Sequence, residues 1–215
     1  MPVTRPQGDT GAADPAVTAA LAAYAAGAVT EREVLTAIAA TRLLVPVVAV
    51  LAEANADGTE KETDMALPTL IGNDGRKAVI AFTSIDTVKQ WRPDARPIPV
   101  LAPSLWPAVA AEQADAVVID VAGPVPLAIE GARLRALAAG APPPFPHEDP
   151  DIRAQVAQAA ALAGVIGDIT LEPGGADAEL VIVLKADPET AQSAARDIAA
   201  RLAPRLRKGI ALRLG

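Results

Sequence analysis

The sequence predicts an α+β fold: a mixed, largely antiparallel sheet with flanking helices in an N-terminal unit, then a small α-β-β-α-β unit. Three observations predict it. Short valine- and isoleucine-rich runs lie between turn signals, Asp-Pro pairs mark helix starts, and proline crowds the stretch 141–147 between two regular patterns. A chain of 215 residues suits one or two domains. The expected division is an N-terminal domain over 1–140, a proline-rich linker over 141–149 and a C-terminal unit over 150–215.

Asp14-Pro15 opens the first helix, because aspartate accepts an orphan N–H and proline has none to leave unpaired. Val17, Leu21 and Tyr24 follow at helical spacing, and Gly27 is the expected stop. Thr30 and Glu33 form a capping box ahead of Val34, Leu35 and Ile38. A helical hairpin therefore leads the chain. Strands are expected over 43–51, 65–71 and 77–82, joined as an antiparallel meander through Asp57-Gly58 and the turn Gly72-Asn73-Asp74-Gly75. Pro46 and Pro68 confine the first two to edges or bulges, and 77–82 and 116–121, free of proline, should be central.

Thr83-Ser84 caps a short helix over 85–90, closed by Trp91 and Pro93. A strand over 98–101, a helix over 104–113, an extended piece over 126–130 and a helix over 131–139 complete the unit. In the C-terminal unit, Asp149-Pro150 and Asp187-Pro188 open helices, the second reaching Leu202. Residues 165–171 and 179–186 flank Glu172-Pro173-Gly174-Gly175 as a hairpin, and 210–214 alternates as a last strand.

Composition excludes whole classes of chemistry. There is no cysteine, so thiolate catalysis, disulfides and cysteine-held metals are ruled out. His147 is the single histidine, which excludes sites needing two from one chain. Five aromatic residues and a net charge of −7 argue against a nucleic-acid partner. The longest apolar run, 43–52, falls well short of the roughly 20 residues that span a membrane, so a cytoplasmic protein is expected. Charge is uneven: residues 1–64 are acidic in balance, and the last nineteen carry Arg201, Arg205, Arg207, Lys208 and Arg213. Arg201, Arg205, Arg207 and Lys208 are expected to point outward, the ends of the chain attracting each other through a polar, salt-sensitive contact.

The segment Gly75-Arg76-Lys77-Ala78-Val79-Ile80-Ala81-Phe82-Thr83-Ser84, with Trp91 and the later helix and apolar strand over 105–121, resembles the N-terminal domain of the SseB family, named for enhanced serine sensitivity. Phe82, Thr83, Ser84 and Trp91 carry the resemblance, which spans roughly 30–140. It implies a mixed α/β fold with no agreed enzymatic activity and no catalytic residues to transfer.

The candidate binding surface is Trp91, Arg92, Arg96 and Trp106, since tryptophan and arginine dominate interfaces. Core packing is the competing reading for both tryptophans. Asp115 and Asp120 lie five apart and point to opposite faces of a strand, so they make no acid–base pair. Gly72–Gly75 precedes a strand and so is a turn, not a phosphate loop. His147 and Glu148 lack a nucleophile of G-x-S-x-G type. The expectation is a non-enzymatic interaction or ligand-binding module with an unidentified protein partner, no cofactor and no metal, monomeric or homodimeric. The alternatives are a small-molecule sensor or enzyme with a site between the two units, and a self-associating scaffold using the basic C-terminal helix.

Overall fold

The computed structural model describes residues 9–47, 69–72 and 75–215. Among them lie seven helices and nine strands. Tertiary contacts divide the chain into two units, Met1–Pro15 with Ala40–Glu130, and Ala16–Ala39 with Gly131–Gly215.

The first unit holds a two-stranded ribbon of β1 (Arg42–Val47) and β4 (Arg96–Leu101), and a four-stranded sheet. That sheet runs β2 (Thr69–Ile71), β3 (Lys77–Ala81), β5 (Ala116–Ile119), β6 (Leu127–Glu130). β3 and β5 are its inner strands and pair in parallel, while the outer pairings are antiparallel. The apolar runs without proline are thus central, as their uninterrupted donors require. The expected meander is corrected in one respect: β1 pairs with β4, and among the described residues it bridges only to Phe82, just past the end of β3, through Leu44. The reason is proline matching. Pro46 lies opposite Pro97, so two residues without an N–H face each other and neither strand loses a partner inside a larger sheet. The pairing also starts β4 earlier than predicted, at Arg96.

β5 stops at Ile119, two residues short of the expected end, because Asp120 takes a left-handed φ of 49°. Its carboxylate accepts from the Thr83 N–H at 2.9 Å and the Thr83 hydroxyl at 2.6 Å. Ser84 then caps α3 (Ile85–Trp91) with Thr87 in a capping box. α4 (Ala102–Ala111) begins two residues before the predicted Ser104, with proline in its first turn. Residues 48–68, including Asp57-Gly58, Met65 and Pro68, and Asn73-Asp74 lie outside the described residues.

The second unit joins α1 (Pro15–Ala25, from Ala16) and α2 (Glu31–Ala39) to α5 (Gly131–Ala138), α6 (Pro150–Leu162) and α7 (Pro188–Leu202). Its sheet is β7 (Ile169–Pro173), β8 (Leu180–Leu184), β9 (Ile210–Leu214) in that order, antiparallel then parallel. The α-β-β-α-β order over 150–215 is as the sequence predicts. Asp149 and Asp187 cap α6 and α7, each accepting two backbone N–H groups. β7 starts later than predicted, since Gly164 turns left-handed and Val165 N–H closes α6 on the Ala160 carbonyl.

Proline density does not mark the boundary between units. The segment 141–147 lies inside the second unit, with Pro143 buried. The Pro143 carbonyl accepts from Arg32 Nε at 2.9 Å, and the Arg32 guanidinium lies 4.0 Å from the Phe145 ring centre. A stiff extended backbone offers unpaired carbonyls, and α2 uses one of them. The leading hairpin, expected in the first unit, makes its contacts with residues 131–215.

Candidate functional site

Two places gather chemistry-bearing side chains, one in each unit. In the first unit, Phe82 is fully buried at the end of β3 beside Leu44, Ile80 and Val88. Its ring lies 5.5 Å from that of Trp91, the last residue of α3. The Ser84 capping box fixes the start of this seven-residue helix, which carries Trp91 at its last position. Trp91 packs on the Phe82 cluster and remains only partly exposed. The exposed Arg92 guanidinium sits 5.2 Å from the Trp91 ring centre. Arg96, also exposed, opens β4 beyond the turn closed by Ala95 N–H to the Arg92 carbonyl. Exposed Lys89, Arg92 and Arg96 outnumber exposed Asp86 and Asp94 on this stretch. Of the predicted surface, the structure brings Trp91 and Arg92 together and leaves Arg96 exposed. It removes Trp106, which is 1% exposed on α4 with no acceptor for its indole N–H among the described residues.

The other predicted candidates resolve as structural groups. Asp115 accepts from the Lys77 N–H, and Asp120 from Thr83. Gly75 has φ 78° and bonds the Gly72 carbonyl, closing the β2–β3 turn. His147 Nε2 is 3.8 Å from Glu148.

A family model described as the SseB protein N-terminal domain matches residues 17–136. The chain belongs to the SseB family. No curated protein and no solved structure matches it significantly. The SseB match gives the Phe-Thr-Ser run a physical content: Phe82 fills the core, Thr83 ties β3 to Asp120, and Ser84 starts the helix that presents Trp91. The matched span also takes in α1 and α2, whose contacts lie in the second unit.

There the sequence missed a buried charge cluster. Arg133 pairs with Glu31, and Arg205 reaches Glu31 at 3.2 Å and Asp149 at 2.6 Å. Glu31, Arg133 and Asp149 are 5%, 3% and 0% exposed. Burial works against the Arg205 charge, but its two carboxylates outweigh this and raise its pKa. Arg205 therefore does not point outward, and the expectation for that residue is corrected: its two carboxylate partners hold it inside the second unit. The Tyr24 hydroxyl is shared between the Pro204 and Arg205 carbonyls at 2.9 and 3.0 Å. Burial, with the Glu31 carboxylate, pushes its pKa up to about 12. The space beside these groups is about 10 Å³, enough for about one water molecule and too small for a metabolite.

Glu179 also lines that space. Its Oε1 accepts from Lys208 N–H at 2.9 Å, and its Oε2 has no partner among the described residues. Burial pushes the Glu179 carboxyl above its ordinary value near 4.5; the Lys208 N–H opposes this and the Glu31 carboxylate adds to it. A raised value means that the folded chain holds this proton more tightly than the unfolded chain. The stabilisation is complete below the unfolded value and is lost as pH rises through the folded one. Glu179→Gln imitates the protonated group. It is expected to raise the melting temperature near pH 8 by about 2–4 °C, the shift that about 1 kcal/mol gives at this size. Near pH 4 the variant and the parent should melt together. A variant that melts below the parent at pH 8 would refute this reading.

Among the described residues, no group of three or more metal-ligating side chains is gathered, and no helix is long and apolar enough to cross a membrane.

Proposed function

We propose that this SseB-family chain is a non-enzymatic interaction module that binds an acidic protein segment at the Trp91–Arg92–Arg96 corner. One observation supports it above the rest: Trp91 is backed by the fully buried Phe82, capped in place through α3, and still partly open to solvent under Arg92. A rigid aromatic that need not be ordered on binding loses little entropy, and flanking arginines suit carboxylates. The polar cluster of the second unit fits a structural role better, because its charges are turned on one another.

The test is affinity capture from native lysate with the full chain, in parallel with Trp91→Ala and Arg92→Glu/Arg96→Glu. A partner with an acidic contact segment should be held by the parent and weakened about 30-fold by Trp91→Ala, the effect of a hot spot of about 2 kcal/mol. Melting temperatures identify any variant that loses binding through unfolding. Equal recovery of every partner by all three proteins would sink the proposal, as would capture of a small molecule alone.

A further inference from the structure

Glu179 is buried in the second unit with one carboxylate oxygen engaged and the other not. Its backbone N–H bonds the Gly209 carbonyl at 2.9 Å, and its Oε1 accepts from the Lys208 N–H. The residue is thereby pinned to the connection between α7 and β9. Its Oε2 is shielded from solvent and has no partner among the described residues. Glu179 lines the space of about 10 Å³ described above, together with Glu31, Arg133 and Arg205 and the apolar Leu35 and Ile152. The Arg205 guanidinium is turned on Glu31 and Asp149, not on Glu179. The Glu31 and Glu179 carboxylates act on each other as like charges.

We propose that this space is a binding site for one internal water molecule, which donates to Glu179 Oε2 and bonds the Glu31–Arg205 ion pair beside it. A buried carboxylate oxygen needs a donor, and a buried water needs roughly 10–15 Å³ and two to four polar partners. The space supplies the volume and the partners together; apolar walls alone would not hold water. Size and charge set the chemical class of the occupant. Volume excludes anything larger than a single water. A cation would meet the guanidiniums of Arg133 and Arg205, and an anion the carboxylates of Glu31 and Glu179. Water suits both, because one molecule donates to carboxylates and accepts from a guanidinium. It joins Glu179, just before β8, to Glu31 on α2, two groups that share no direct bond. The ion-pair cluster is thereby extended to the edge of the sheet.

A high-resolution crystal structure of the full chain tests the site directly. Density for a water is expected about 2.5–3.0 Å from Glu179 Oε2. Oxygen-17 relaxation dispersion in solution counts the waters that stay inside the protein. The parent should hold one more than Glu179→Met, which keeps the length of the side chain and removes both acceptor oxygens. Glu179→Gln keeps a polar end and should keep the water. Melting curves show that each variant is folded, and if Glu179→Met does not fold, the density in the parent and in Glu179→Gln decides. Glu179 Oε2 bonded directly to a protein group, with no water beside it, would overturn the proposal. Equal water counts in the parent and a folded Glu179→Met would overturn it too.

Discussion

Arg205→Met is expected to destabilise the second unit by about 3–5 kcal/mol, the cost of removing one partner from a buried ion pair. The guanidinium touches two carboxylates that are at least 95% buried, Glu31 on α2 and Asp149 at the start of α6. Asp149 keeps its cap bonds through Oδ1, and Glu31 keeps Arg133. What the variant leaves is negative charge without its nearest compensation. Methionine preserves most of the side-chain volume, so the loss reads charge rather than packing. Replacing Glu31 as well, Glu31→Met with Arg205→Met, should deepen the loss, because Arg133 then loses its buried Glu31 partner while Asp149 still lacks Arg205. Urea denaturation followed by circular dichroism measures all three. A loss below about 1 kcal/mol in Arg205→Met would mean that water reaches the cluster and screens it.

This cluster was not legible in the sequence, for a specific reason. Thr30 and Glu33 form a capping box, visible as such, with Thr30 N–H donating to Glu33 at 2.7 Å. That motif explained the acidic first turn and left Glu31 looking like one more favourable charge at a helix start. Arg205 stood in a basic tail that resembled a solvated run. Their separation of 174 positions lies beyond any local pattern. Tyr24 was the available clue: a lone tyrosine at a core position needs a partner for its hydroxyl, and the two carbonyls it found belong to the same tail.

Local rules fared better where one segment decides. The Asp149 and Asp187 caps, the Ser84 start and the central place of β3 and β5 follow from side chains within a few positions of each other. Pairing partners do not. β1 and β4 meet because Pro46 and Pro97 remove donors on both sides, which requires knowing both strands at once. Of the predicted surface, Trp91 and Trp106 had the same helical spacing to apolar neighbours. Only the tertiary packing separates the partly exposed one from the buried one.

Phe82→Ala is expected to cost about 3–5 kcal/mol in the first unit, the usual loss for a fully buried phenylalanine. The backbone at this residue is fixed independently of the ring: Phe82 N–H and carbonyl both bond Leu44, at 2.8 and 2.7 Å. Thr83 and Ser84 keep their own ties. The chain therefore cannot collapse freely into the vacated space, and the cavity term stays large. The loss has a local signature as well. Trp91 rests on the Phe82 ring, so removing it frees the indole, and its fluorescence should shift to the red. Trp106 contributes a second, buried emission, so Trp106→Phe supplies the background in which Trp91 is read alone. Phe82→Leu keeps an apolar filler and should lose about a third as much, with little spectral change. If Phe82→Ala weakens partner binding far more than its thermal loss implies while Phe82→Leu does not, the core residue acts through the tryptophan that it supports. A loss under about 1 kcal/mol in Phe82→Ala with unchanged Trp91 emission would show that the tryptophan is held by other contacts.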